Sequence, residues 1–200
     1  MVGQKSAFTL STKMEINIYD TKNTYQIIYA DPPWRNPKSG AKPRNNEKHY
    51  PSMATDDICS LPIKNISSDD AILFLWACFP CLEDALKVIR EWGFEYYGLG
   101  FDWCKIKADG TPKIGCGYYT RQNNEICIIG VKHQLKNRIK PQVKNIGCSI
   151  LEQPREHSRK PDVARENIVK ICGDNPRIEL FARQTTDGWD CWGNQVGLLN

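Results

Sequence analysis

The sequence predicts an α/β sandwich built around a mostly parallel sheet. Two observations carry that expectation. Short apolar runs without polar alternation, such as "AILFLWA" at residues 71–77, read as strands covered on both faces. These runs alternate with segments whose apolar residues recur at three- and four-residue steps, the period of helices that cross back over a sheet. The chain has 200 residues and no internal repeat or linker, so a single domain over residues 1–200 is expected, with residues 1–24 an irregular start.

Taken in order, residues 27–30 form a first short buried strand, and "DPPW" ends it abruptly. Proline fixes φ, and the residue before a proline is pushed out of the helical region, so Asp31-Pro32-Pro33 is a stiff stop. Residues 71–76 are a second strand. Leu82, Ala85, Leu86, Ile89 and Trp92 then mark one face of a helix that Gly93 stops. Residues 96–105 read as a third strand weakened by Gly98 and Gly100, residues 126–131 as a fourth, and residues 146–151 as a fifth. Pro161 suits the first turn of a second helix bearing Ala164, Ile168 and Ile171 and ended by Gly173. Residues 178–182 are the last clear strand. Ligands of such sheets bind beyond the carboxyl ends of the strands, where both "DPPW" and "ARQTTDG" fall.

Charge and cysteine usage narrow the function. The net charge is +4. It is gathered in three clusters: Lys38, Lys42, Arg44 and Lys48; Lys132, Lys136, Arg138, Lys140 and Lys144; and Arg155, Arg159, Lys160 and Arg165. Such runs are ordinarily solvated surface, yet three in loop-like segments are compatible with a polyanion. No segment approaches the roughly 18 apolar residues that cross a bilayer. The start lacks an apolar core long enough for a signal peptide, which gives a cytoplasmic expectation with no membrane partner. Nine cysteines at irregular spacing argue for reduced thiols, most of them small core residues.

The acidic residue, two prolines and tryptophan of residues 31–34 suggest a specific chemistry. Held stiffly, a carboxylate and a backbone carbonyl can converge on one exocyclic amine while the aromatic stacks on the base. An adenine amine is a poor nucleophile because its lone pair is delocalised into the ring. Accepting both hydrogens, at Asp31 Oδ and the Pro32 carbonyl, favours a tetrahedral nitrogen that attacks a methyl sulfonium directly. No metal is needed; positioning and charge suffice. Cys78-Phe79-Pro80-Cys81 offers a rival, the outline of a thioredoxin-type centre, but the chain is long for that fold. Zinc fares worse, because Cys116, Cys148, His133 and His157 lack finger spacing.

"YADPPWR" resembles the Asp/Asn/Ser-Pro-Pro-aromatic signature of the amino-group adenine methyltransferases. The chain further resembles the branch that holds the catalytic subunit of the eukaryotic mRNA adenosine-N6 methyltransferase and its bacterial and phage relatives. The resemblance runs from about residue 25 to 197 through "YPSMATDDICSLPI", "AILFLWA", "FDWCKIK", "NNEICIIGVK", "REHSRKPDV", "RIELFARQ" and "WGNQ". It implies a Rossmann-like class I methyltransferase of permuted order, with the catalytic tetrapeptide before the cofactor strand, and S-adenosyl-L-methionine as cofactor. Carried over by motif, Asp31, Pro32, Pro33 and Trp34 form the amine pocket. Lys160 reaches the methionine part of the cofactor and Asp31 borders it; Arg183, Thr185 and Thr186 serve the ribose, and Asn194 and Gln195 the ribose and adenine. Tyr50, Lys105 and Glu125, with Trp34, line the target-base pocket. The mRNA branch often has His where this chain has Arg159 and Thr185.

The resemblance implies N6 methylation of adenine in nucleic acid. DNA is favoured over RNA because the chain is compact and lacks the large extensions and zinc fingers of the mRNA enzyme. RNA is the first alternative; a catalytically inactive nucleic-acid-binding subunit is another, against which the intact Asp31 argues. A homodimer or a related methyltransferase subunit is the expected protein partner, in a bacterial or phage-type protein.

Overall fold

The computed structural model describes residues 15–35, 52–132, 138–155 and 159–193. Its centre is a seven-stranded sheet. In chain order the strands are β1 (Tyr25–Ala30), β2 (Ser67–Ala77), β3 (Glu95–Lys105), β4 (Asn124–Val131), β5 (Ser149–Glu152), β6 (Arg177–Leu180) and β7 (Asp190–Trp192). The helices are α1 (Thr55–Cys59), α2 (Ile63–Ile66), α3 (Leu82–Glu91) and α4 (Asp162–Cys172). Strand order across the sheet is β5-β3-β4-β2-β1-β6-β7. All pairings are parallel except the two made by β4, which runs antiparallel to β2 and β3. This is a Rossmann-like α/β sandwich in which the strand leading to "DPPW" precedes, and pairs with, the strand of "ELFAR".

Alternation along the strands divides the core in two. Ile28, Ala30, Leu73 and Leu75 face a layer made by Ile58 of α1, Ile63 and Ile66 of α2, and Ala85, Val88 and Ile89 of α3. Ile27, Tyr29, Phe74 and Trp76 face the opposite layer, where Ala164, Ile168 and Cys172 of α4 pack with Trp103 and Trp189. Buried indoles keep their N–H groups satisfied: Trp76 donates to Tyr29 Oη at 2.7 Å and Trp92 to the Ile58 carbonyl at 2.9 Å. A guanidinium staples α4 to β6, because Arg165 holds both carboxylate oxygens of Glu179 at 3.0 Å.

Several expectations need correction. The short helices α1 and α2 lie in "TDDIC" and "IKNI", too short for a helical period to show. β6 stops at Leu180 because Phe181 takes φ 61°, and a further strand, β7, follows it. The fifth strand is residues 149–152 rather than 146–151, and Pro161 caps α4 instead of entering its first turn. Four cysteines are buried, not most: Cys81, Cys127, Cys172 and Cys191. β3 is not covered on both faces, since Tyr96, Tyr97 and Leu99 are exposed.

Candidate active site

Parallel pairing brings the carboxyl ends of β1, β2 and β6 to one edge of the sheet: Ala30 lies level with Leu75 and with Leu180. β3 ends there too, and β4, running the other way, begins there. The residue after β1 is Asp31, the last of β3 is Lys105, and the second of β4 is Glu125. Lys160 arrives at the same edge two residues before α4 starts.

These four side chains form one alternating row of charge. Lys160 Nζ donates to Asp31 Oδ2 at 2.7 Å and reaches Glu125 Oε2 at 3.1 Å, and Lys105 Nζ pairs with Glu125 Oε1. The Lys160 side chain is only 8% exposed, so its charge exists there because two carboxylates flank it. A surface role for Lys160 is thereby excluded. Its ammonium also lies 5.7 Å from the centroid of the Trp76 ring.

The electrostatics follow from that row. Burial pushes the Asp31 carboxyl above its ordinary range, opposed by the pull of Lys160 and, more weakly, of Arg183. Burial also acts against ionised Glu125, but two ammonium groups outweigh it and hold the carboxyl at about 2. For Lys160 burial disfavours the charge, and the two carboxylates overcome it, raising the pKa above the ordinary lysine value. A depressed carboxyl stabilises the fold above its ordinary pKa of 4.5 and loses that contribution as pH falls toward 2. Glu125→Gln is therefore expected to unfold at lower urea concentration at pH 6 and to converge with the unaltered protein near pH 2. The difference at pH 6 should be about 3 kcal/mol.

The tetrapeptide is held from several sides. Trp34 N–H donates to the Pro32 carbonyl at 2.8 Å, a three-residue turn centred on Pro33. The Pro32 oxygen thus spends one lone pair internally and keeps one for a ligand. Met53 N–H donates to the Pro33 carbonyl at 2.9 Å, and Arg35 N–H to the Met53 carbonyl at 3.2 Å, tying residues 33–35 to the segment before α1. Trp34 Nε1 donates to the Trp76 carbonyl at 2.9 Å, which fixes the plane of the indole beside Asp31. The sequence carries no sign of the anchoring by Trp76 and Met53, since one works through a backbone carbonyl and the other through backbone N–H and carbonyl groups.

The remaining sequence-predicted residues divide. Arg183 lies close enough to Asp31 to pull its pKa down. Thr185 and Thr186 line a cleft of about 680 Å³ on the outer side of α4, together with Arg159, Asp162, Arg177 and Trp189. There the Thr186 hydroxyl is buried with no hydrogen-bond partner among the described residues, a polar atom suited to a ligand oxygen. Tyr50, Asn194 and Gln195, and the first basic cluster, lie outside the described residues. In the second cluster Lys132 sits over the Phe94 ring and Arg138 over Tyr97. The third cluster is paired internally: Arg155, Arg159 and Arg165 all converge on Asp162.

Between Lys105 and Glu125 the chain leaves the site as two successive tight turns. In the first, Ile106 bridges to Pro112 and Lys107 N–H donates to the Thr111 carbonyl; in the second, Cys116 bridges to Gln122. Tyr118 and Tyr119, at the tip of the second, are each 94% exposed. No helix among the described residues is long and apolar enough to cross a membrane.

A carboxylate, a half-free carbonyl and a fixed indole can receive a planar base bearing an amine, while a buried ammonium and an arginine stand ready for an anionic or hydroxylated cofactor. Comparison with known proteins agrees. The chain is 29% identical over 193 residues to the type II methyltransferase M.MunI of Mycoplasma sp., covering 88% of this chain and 79% of that one. It is 30% identical to the N6-methyladenosine RNA methyltransferase MTA1 of Pyricularia oryzae, over 86% of this chain but 47% of that one. It is 25% identical to the human N(6)-adenine-specific methyltransferase METTL4, over 96% of this chain and 42% of the relative. The MT-A70 family model matches residues 25–195, a span that holds Asp31, Lys105, Glu125, Lys160 and Arg183, and the chain belongs to the MT-A70 family.

Proposed function

We propose that the protein transfers a methyl group from S-adenosyl-L-methionine to the exocyclic N6 amine of adenine in DNA. The observation that carries this reading is the convergence of Asp31, at the mouth of the "DPPW" turn, with Lys160, Glu125 and Lys105. When bound, S-adenosyl-L-methionine supplies an electrophilic methyl group on a sulfonium. The residues present fit it: Lys160 would offer a buried ammonium to its carboxylate, Thr186, with a buried hydroxyl, would accept or donate to the ribose, and Arg183 and Thr185 are assigned to the ribose on the sequence motif. Asn194 and Gln195 remain assigned to ribose and adenine on the sequence motif alone.

Asp31 Oδ2 takes the Lys160 ammonium, which leaves Oδ1 to accept one amine hydrogen while the Pro32 carbonyl accepts the other. Trp34 supports the base by stacking. The raised affinity of Asp31 for protons suits it to hold the proton released as the N–C bond forms. Lys160 then has two tasks, balancing Asp31 and meeting the cofactor. Glu125, itself paired with Lys105, holds Lys160 in place; on the sequence motif alone, Glu125 and Lys105 border the base and Tyr50 gates it.

In duplex DNA the target adenine must leave the stack. The two turns between Lys105 and Glu125 present Tyr118 and Tyr119 for stacking and the exposed Lys107, Lys113 and Arg121 for phosphates. The shape of the second turn, the tyrosine hairpin, depends on two glycines. A Cβ at Gly117 would meet the Thr120 carbonyl at 1.8 Å, and one at Gly115 the Gln122 carbonyl at 1.4 Å. Gly117→Ala is expected to weaken DNA binding about tenfold, the worth of one stacked base, with cofactor affinity unchanged. Equal loss of both, by filter binding and calorimetry, would assign the hairpin to folding instead.

The match to M.MunI favours DNA; the match to MTA1 supports the alternative, the same reaction on RNA. One assay decides: purified protein, methyl-labelled cofactor, and DNA and RNA of matched sequence, followed by nucleoside analysis. N6-methyldeoxyadenosine is expected. Labelled N6-methyladenosine alone would move the assignment to RNA, and no label in either polymer would refute the reading.

A further inference from the structure

The active-site edge carries a second pair of reactive groups that methyl transfer does not use. β2 ends at Ala77, and the next residue, Cys78, opens a tight turn over Phe79–Cys81 that leads into α3. Cys81 N–H donates to the Cys78 carbonyl at 2.9 Å, which folds the two cysteines onto one side of the turn. Their Sγ atoms stand 3.2 Å apart, and a disulfide requires about 2.05 Å. Closure therefore needs a displacement of about 1 Å in a turn whose backbone is already bent.

We infer that Cys78 and Cys81 are a redox-modification site on the rim of the active site, closed to an internal disulfide by a low-molecular-weight disulfide of the glutathione class, and that closure slows methyl transfer. The inference goes beyond the proposed function. Only its activity arm rests on that reading.

The two thiols are unlike in the way the exchange demands. Cys78 is partly exposed and Cys81 fully buried. The hydrogen bond from Cys81 outweighs burial and, with the Cys81 backbone amide, draws the Cys78 thiol below the ordinary range, which makes it the better attacking group of the pair. Cys78 Sγ attacks the small disulfide, forming a mixed disulfide and releasing one small thiolate. Cys81 Sγ, losing its proton to solvent, then attacks Cys78 Sγ and expels the second. The balance is one protein dithiol and one small disulfide giving one protein disulfide and two small thiols. Burial holds the thiols of Cys59, Cys127, Cys172 and Cys191 above the ordinary range, which makes them poor competitors. Cys116 and Cys148 are exposed, but neither has a cysteine neighbour among the described residues.

The connection to the site runs through β2. Two residues before Cys78, the Trp76 carbonyl holds the Trp34 indole, and the Trp76 ring faces the Lys160 ammonium. Drawing Cys78 toward Cys81 pulls on the residue that directly follows that strand and disturbs the seat of Trp34.

The test uses the full chain, reduced, then incubated with oxidised glutathione. Alkylation of remaining thiols and peptide mass analysis should show one Cys78–Cys81 disulfide, reversed by dithiothreitol. Cys81→Ser should instead stop at a glutathione adduct on Cys78. Methyl transfer should fall severalfold on oxidation and recover on reduction, while Cys78→Ser and Cys81→Ser keep full basal activity and lose the oxidant sensitivity. A persistent glutathione adduct on Cys78 of the unaltered protein, or faster modification of Cys116 or Cys148, overturns the site. An internal disulfide with unchanged methyl transfer overturns the coupling. Reduced protein without any methyl transfer refutes the methyltransferase reading instead, and the mass analysis still decides the site.

Discussion

Asp31→Ala is expected to lower methyl transfer about a thousandfold while leaving a folded protein that still binds cofactor. The size follows from removing a fixed acceptor aimed at the reacting amine, a loss of the order seen for one preorganised hydrogen-bonding group. The variant should fold because Lys160 keeps Glu125 as a partner at 3.1 Å. The pH dependence gives a second readout. The ionised carboxylate is the working form, and its folded pKa is raised, so activity should rise with pH through a value above the ordinary 3.8 of aspartate. Single-turnover assays with labelled cofactor and a circular dichroism spectrum check both parts. Activity within tenfold of the unaltered protein would remove Asp31 from the chemistry.

Lys160→Met should have the largest effect on stability. It leaves Asp31 and Glu125 facing each other in a site where their side chains are 23% and 20% exposed. Removing one partner of a buried ionic group costs about 3–5 kcal/mol, and Lys105 can answer only for Glu125. Urea unfolding at pH 7 should show that loss, and the deficit should shrink as acid protonates the two carboxylates. Cofactor affinity, measured by calorimetry on the folded fraction, should also fall. A variant as stable as the parent at pH 7 would show that the ammonium is not what keeps the carboxylates ionised. Undiminished affinity would remove Lys160 from the cofactor site.

Much of the fold was legible because apolar runs and three- to four-residue periods are local. β1, β2, β3, β4, α3 and α4 all show them, and their ends moved by only a few residues. α1, α2 and β7 were not legible: four or five residues hold no helical period, and three strand residues hold no alternation. The antiparallel course of β4 was hidden for another reason. "EICIIGV" is as apolar as any parallel strand because both of its faces are covered, Ile126 and Ile128 by one layer and Cys127 and Ile129 by the other, whatever its direction. Among site residues, Asp31 and Trp34 announced themselves by the stiffness of the prolines between them. Trp76 did not, since its role is played by a backbone carbonyl, which every residue has.

By itself, the sequence determined an α/β sandwich with a proline-stiffened acid beyond the first strand, and through its ordered motifs the kind of reaction that acid serves. Those are properties of covalent geometry and of local pattern. The tertiary structure decided what surrounds the acid. Residues 31, 105, 125 and 160 are brought together by strand direction and sheet order, and their spacing along the chain carries no sign of the contact. Burial then makes the pairing obligatory, because no lysine keeps its charge in that position without a carboxylate on either side.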